Sequence, residues 1–265
     1  MQPDLPKEAW LRHQLRLFFT ALQFFTRLPV PRWVGFQEEW LQHTARFFPL
    51  TGWLVGAIVA TLAWGVGLIL PQPVALLLSM ACGLYLTGAL HEDGFADMCD
   101  GFGGAMQRER ILDIMKDSRI GVYGAIGIGV LLATKFAALN SLPRLLIPLV
   151  LLASHPLSRL FATSLMWRFD YVRAEGKAAK VARRMAGGEF LFATLCGLLP
   201  LLMLVGGGWI AWLPALTGFF LAAMATVYLA HMFVRRIGGY TGDCLGAVQQ
   251  LSEVGFYLGM LIFLT

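Results

Sequence analysis

The chain is poor in charge. Asp, Glu, Lys and Arg make up 14% of its 265 residues against 57% hydrophobic, and the mean hydropathy is +0.66. A soluble fold of this size covers itself with roughly 25% charged residues, so a soluble enzyme, a disordered chain and a collagen-like rod are excluded. Cysteine is equally scarce, with Cys82, Cys99, Cys196 and Cys244 the four present. They form no C-x-x-C pair and lie in or beside apolar stretches, which argues against a zinc site or a disulfide scaffold and leaves packing as their role. A cleavable leader is also missing: Asp4, Lys7 and Glu8 precede any apolar run and no small-residue cleavage site follows, so insertion is expected to use internal spans. Without a repeat, a heptad or a low-complexity tract, residues 1–265 are expected to form a single membrane-embedded domain.

Long apolar runs are what the chain has in excess. Seven approach the roughly 20 residues needed to cross a bilayer: 47–70, 74–90, 120–140, 145–167, 190–207, 209–234 and 244–265. The expected fold is therefore all-α, a polytopic helical bundle of about seven transmembrane helices. The second run is short, but its helical pattern continues through 91–100, so the helix is expected to project beyond the hydrocarbon with an acidic end. Before the first span, Leu11, Leu15, Phe18, Phe19, Leu22 and Phe25 recur at 3–4 spacing with Arg12 and Arg16 on another face, the pattern of a helix lying in the interface. Lys and Arg resist translocation. With a cytoplasmic N-terminus they divide 18 to 1 in favour of the cytoplasmic connections, Lys135 and Arg159 lying within spans. The net charge of +5 is met by anionic lipid headgroups and implies no nucleic acid. The sequence leaves a homo-oligomer open.

Seven of the 16 acidic residues fall between Glu92 and Asp117. On a helix, Asp93, Asp97 and Asp100 are related as i, i+4 and i+7 and share one face. Carboxylates stacked this way repel unless a divalent cation neutralises them, and an all-oxygen donor set favours magnesium, calcium or manganese. Gly94 is expected to leave the backbone open to a ligand, and Gly101 to Gly104 to end the helix in a flexible turn. A second amphipathic helix is expected over 106–118, with Asp113 and Asp117 one turn apart and Arg110, Lys116 and Arg119 beside them. Cations next to carboxylates are the combination that phosphoryl transfer uses. A third cluster, Arg235-Arg236-Ile237-Gly238-Gly239-Tyr240-Thr241-Gly242-Asp243, precedes the last span, and its glycines could bring backbone amides to a phosphate. Within the apolar runs, Lys135, His155, Arg159, Gln249, Gln250 and Glu253 are costly unless they face a polar interior. His13, His43 and His231 are expected to have no role.

At these residues the chain resembles the adenosylcobinamide-GDP ribazoletransferases, or cobalamin synthases. The matching elements are Thr26-Arg27-Leu28-Pro29-Val30-Pro31, Phe48-Pro49-Leu50 with Gly52, and Glu92-Asp93-Gly94 with Ala96, Asp97, Asp100 and Gly101. They continue with Ile114-Met115-Lys116-Asp117-Ser118-Arg119-Ile120-Gly121, His155-Pro156 with Ser158 and Arg159, and Gly238-Gly239 with Thr241-Gly242-Asp243. The resemblance implies a magnesium-dependent enzyme of the bacterial inner membrane with its active site on the cytoplasmic side. It would join adenosylcobinamide-GDP to α-ribazole or its 5′-phosphate and release GMP. Carried onto this chain, it makes Asp93, Asp97, Asp100 and Asp117, with Glu92 and Asp113, the candidate metal ligands. Asp97, Asp243 and Lys116 become the catalytic candidates, and Arg110, Arg119, His155, Arg159, Arg235, Arg236 and Thr241 those for substrate. A CDP-alcohol phosphotransferase is the runner-up, because Asp97-x-x-Asp100-Gly101 and Asp113-x-x-x-Asp117 partly echo its paired aspartates; a cation transporter is a weaker alternative, since its acids would sit nearer the bilayer midplane.

Overall fold

The computed structural model describes residues 7–173 and 185–263. Its helices are α1 (Lys7–Phe25), the single turn α2 (Leu41–Thr44), α3 (Phe48–Gly67), α4 (Gln72–Thr87), α5 (Leu90–Gly104) and α6 (Arg108–Ile114). They continue with α7 (Val122–Asn140), α8 (Ile147–Arg168), α9 (Gly187–Gly206), α10 (Trp212–Ile237) and α11 (Gly242–Leu261). Among the described residues there is no strand, only an isolated parallel bridge between Tyr171 and Tyr240. The all-α expectation holds, and the chain is a multi-pass membrane protein: Trp64, Ile69, Leu77, Ile126, Leu195, Leu202, Phe220 and Val227 present an exposed apolar surface to lipid.

All seven expected runs are helical, but they are not equivalent. Among the described residues five helices are long and apolar enough to cross a membrane, Leu41–Gly67, α7, α8, α9 and α10, and the number rises to six if α4 and α5 count as one broken span. The last helix, α11, falls outside that set because Gln249, Gln250 and Glu253 interrupt its apolar character, and it is instead enclosed by α5, α7, α8 and α10. Small residues permit this enclosure. A Cβ on Gly259 would meet the α10 backbone at Gly218 at 2.5 Å, and one on Gly52 would meet the His155 carbonyl oxygen of α8 at 2.6 Å.

The helix expected to run straight through 74–100 breaks instead. Gly88 and Ala89 both adopt left-handed backbone (φ 63° and 56°), and α4 meets α5 at 87°. The Gly88 and Ala89 N–H groups donate to the Tyr85 and Leu84 carbonyls (3.3 and 2.9 Å), closing the end of α4. Ala89 adopts a conformation that costs an L-residue about 1–2 kcal/mol, so tertiary contacts must hold it. Arg27 supplies one: its N–H donates to the Leu86 carbonyl at 2.8 Å, and its guanidinium lies 5.3 Å from the Tyr85 ring centre. The bend turns α5 across the bundle, against α11 and α7. The glycines 101–104 do not end α5 in a turn; they remain helical to Gly104.

The stretch before the first span is helical, as α1, with Trp10, Leu11 and Leu15 exposed and Leu17, Ala21, Leu22 and Phe25 buried. His43, expected to be idle, bonds Glu189 through Nδ1 at 2.8 Å, and Arg46 reaches the same carboxylate at 3.3 Å. Four of the six cations in the connection from Arg168 to Glu189, Lys177, Lys180, Arg183 and Arg184, lie outside the described residues.

Candidate active site

The acidic segment is divided between two environments, because successive residues of α5 point to different sides. Asp93 is exposed and Asp97 half-buried. Asp243, at the start of α11, joins them: the carboxylates of Asp243, Asp93 and Asp100 all repel that of Asp97, and Arg173 is the cation that relieves it. Helices α5 and α11 come this close because Gly94 lacks a side chain, since a Cβ there would stand 2.9 Å from the Asp243 Cα. The expectation that Gly94 opens the backbone to a ligand is thus corrected: helix packing fills that space.

Asp100, two turns further along α5 than Asp93, is engaged elsewhere. It is 8% exposed, and its carboxylate accepts the N–H groups of Gly121 (2.7 Å) and Gly124 (2.8 Å). A carboxylate at the N-terminus of α7 satisfies amides that have no intrahelical partner and complements the helix dipole. Side chains at 121 or 124 would collide with it, their Cβ atoms falling 2.4 and 2.3 Å from its oxygens. Of the expected face of three carboxylates Asp93 and Asp97 remain free of the α7 amides, with Asp243 of α11 packed beside α5.

Glu92 faces the interior. A cavity of about 50 Å³ lies between α3, α4, α5, α7, α8 and α11, with His91, Glu92, Lys135, His155, Arg159, Gln249, Gln250, Glu253 and Tyr257 among its lining. Lys135 Nζ sits 2.9 Å from Glu253 Oε1 and donates to Gln250 Oε1 at 2.8 Å. Gln250 Nε2 donates to Glu92 Oε1 (2.6 Å), Gln249 Nε2 to Glu253 Oε2 (2.6 Å), and the Tyr257 hydroxyl to Glu253 Oε1 (3.0 Å). Arg159, 2% exposed, donates to the His155 carbonyl at 3.0 Å. Two acids and two strong bases share this interior, which is how buried charge is tolerated. Glu92 Oε2 and Arg159 Nε remain buried without a hydrogen-bond partner.

The remaining expected residues are spread over the same end of the bundle. Helix α6 is shorter than expected and docks through Ile111 and Met115, while Arg110, Asp113 and Lys116 are exposed. Arg119 grips Asp117 through three hydrogen bonds of 2.6–3.2 Å, and these bonds pull the Asp117 carboxyl down to about 2. Arg236 donates to the Phe102 carbonyl (3.1 Å) and to that of Ala105, tying α10 to the end of α5; Arg235 is exposed. Thr241 caps α11, its hydroxyl accepting the Cys244 N–H at 3.3 Å. The glycine loop is also used for packing: a Cβ on Gly239 would meet the Asp170 carbonyl oxygen at 2.2 Å. Among the described residues no three His, Cys, Asp or Glu side chains converge to hold a metal ion.

A family model described as cobalamin-5-phosphate synthase matches residues 17–261. The chain belongs to the cobalamin-5-phosphate synthase family. Relatives named adenosylcobinamide-GDP ribazoletransferase include one from Ralstonia pickettii (strain 12J), 44% identical over 258 residues that cover 96% of this chain and 98% of its own length. Another, from Shewanella frigidimarina (strain NCIMB 400), is 43% identical with 95% and 96% covered. A third, from Leptospira biflexa serovar Patoc (strain Patoc 1 / Ames), is 36% identical with 95% and 98% covered. No solved structure matches the chain. As a cobalamin-5-phosphate synthase family member, the chain is a transferase of cobalamin synthesis, which bears out the resemblance and removes the CDP-alcohol and transporter readings. Sequence reasoning missed two members of the site. Arg173 was not among the sequence candidates, yet its Nη2 lies 2.9 Å from Asp243 Oδ2. Tyr257 carried no signal beyond its place one turn after Glu253.

Proposed function

We propose that this chain is a magnesium-dependent phosphotransferase that joins adenosylcobinamide-GDP to α-ribazole or α-ribazole 5′-phosphate and releases GMP. It would act in the bacterial inner membrane with its active site at the cytoplasmic face, where the basic connections concentrate. The observation that carries the reading is the meeting of Asp93 and Asp97 on α5 with Asp243 on α11, beside Arg173, at the residues where the family resemblance is densest.

The donor set suits magnesium by its chemistry. Magnesium keeps much of its water and is held by one or two carboxylates together with substrate phosphates, so a cluster of three protein ligands is not required. Asp93 and Asp97 would hold it, with Asp243 in reach of the same set; Asp100 is engaged by two amides and Glu92 by Gln250. When bound, the ion would offset phosphate charge as the leaving group departs. In the reaction a ribose hydroxyl of the acceptor attacks the phosphorus that carries cobinamide. The new P–O bond forms as the bond to GMP breaks, and the hydroxyl proton passes to whichever of the half-buried Asp97 and Asp243 is not bound to the metal.

The test is release of GMP by the purified protein in liposomes, from adenosylcobinamide-GDP with each acceptor in a separate reaction, with and without magnesium. Magnesium-dependent GMP release with at least one acceptor is expected. Release of CMP from a CDP-alcohol instead, or no corrinoid product, would overturn the proposal.

A further inference from the structure

The cations at this end of the molecule are unevenly employed. Arg119 is held by Asp117, Arg236 by two carbonyl oxygens, and Arg159 lies within the cavity. Lys116 is exposed. Arg173 pairs with Asp243 at 2.9 Å, and its charge also acts on Asp97.

Its position is built by the backbone. The segment that carries it pairs with the glycine loop, Tyr240 N–H donating to the Asp170 carbonyl (3.1 Å) and Val172 N–H to the Tyr240 carbonyl (3.0 Å). Gly239 makes the approach feasible, since any side chain there would strike Asp170. The guanidinium is 14% exposed and is paired with Asp243, while its Nε is buried and has no hydrogen-bond partner. Arginine presents a planar fork of five donors that matches phosphate oxygens in pairs. A fork placed among acids and incompletely bonded is a group awaiting an anion.

We infer that Arg173 is a substrate-binding residue, receiving the phosphate oxygens of the nucleotide diphosphate, and that Asp243 holds it in place until that phosphate arrives. The inference deepens the proposed reaction and rests on it. Three carboxylates would repel a diphosphate, and a fixed cation between them offsets that repulsion. When the phosphate takes the guanidinium, Asp243 is released beside Asp97, where the proposed reaction needs a proton acceptor.

The test uses the full-length protein in liposomes, measuring both equilibrium binding of adenosylcobinamide-GDP and the rate of GMP release. Arg173→Gln is expected to raise Kd and KM for adenosylcobinamide-GDP by about tenfold or more, the scale of one lost charge-assisted contact, with KM for α-ribazole unchanged. Arg173→Lys, which keeps the charge and loses the fork, is expected to fall between. An unchanged Kd in Arg173→Gln would overturn the inference. So would recovery of wild-type Kd on adding Asp243→Asn to Arg173→Gln, because Arg173 would then serve only to neutralise its partner. If Arg173→Gln does not insert, the Kd of Arg173→Lys decides by the same comparison. Absence of GMP release by the wild-type protein would defeat the reaction itself, whereas wild-type release with an unaltered Arg173→Gln Kd defeats only the role of Arg173.

Discussion

Glu92 and Asp93 are neighbours on α5 and belong to different chemistries. Glu92 faces a buried chamber in which Lys135, Gln249, Gln250, Glu253 and Tyr257 bond one another almost completely. Asp93 is exposed, and beside it, at the outer site or mouth, Asp243 pairs with Arg173 next to Asp97. Both regions are polar and both are built on α5 and α11. The difference is in how their charge is balanced. In the chamber Lys135 pairs with Glu253, and Gln250 bonds Glu92, so its polar groups tie α5, α7 and α11 together. The mouth has more negative charge than the chain itself neutralises, which is useful only if something arrives to complete it.

Removing one partner from the chamber should have the largest effect on stability. Lys135→Met leaves Glu253 buried without its cation, a change that typically costs about 3–5 kcal/mol. The expected outcome is a large loss of folded, membrane-inserted protein. Adding Glu253→Leu should recover much of that loss, as thermal unfolding in detergent would report. Failure of the double variant to improve on Lys135→Met would mean that the chamber is not balanced as described.

Asp100 lies on the border between the two regions and sharpens the contrast. Asp100→Ala strips the cap from α7 and leaves two amides without an acceptor, which should cost about 1–3 kcal/mol. If capping is its work, the unfolding temperature falls while the magnesium concentration for half-maximal turnover stays where it was. A marked rise in that concentration would return Asp100 to the mouth as a ligand.

The smallest effect on stability is expected at the exposed edge. Arg119→Ala and Lys116→Ala should leave the unfolding temperature unchanged, because Arg119 and Asp117 pair in full contact with solvent. Any loss of GMP release in these variants would then report on substrate rather than on folding. A lowered unfolding temperature would show that the edge supports the bundle.

The membrane class, the helix positions and the acidic segment were legible because composition and period carry them. The bend between α4 and α5 was not. It rests on Ala89 in a left-handed conformation, a state that no local pattern announces and that contacts such as those of Arg27 enforce. The direction in which each aspartate points was legible only in part. The i, i+4, i+7 rule places all three aspartates on one side of α5, but Asp100 lies two turns, about 10 Å, further along the axis than Asp93, where the α7 amides bond it. Glycine spacing was ambiguous for a related reason, since the absence of a side chain at Gly94 and Gly239 also serves backbone-to-backbone packing. Arg173 could have been found only by pairing a distant segment with the glycine loop, which nothing in the local sequence encodes.

The central claim is that chemistry resides at the mouth and support in the chamber, and Asp97→Asn tests it most directly. The substitution keeps the shape and removes the charge at the centre of the acidic set. The measurement is turnover, as GMP released per correctly inserted protein at saturating magnesium and substrate. The account predicts normal insertion and a loss of about a thousandfold, or ~4 kcal/mol of transition-state stabilisation. Near-normal, magnesium-dependent turnover in the inserted Asp97→Asn protein would contradict it.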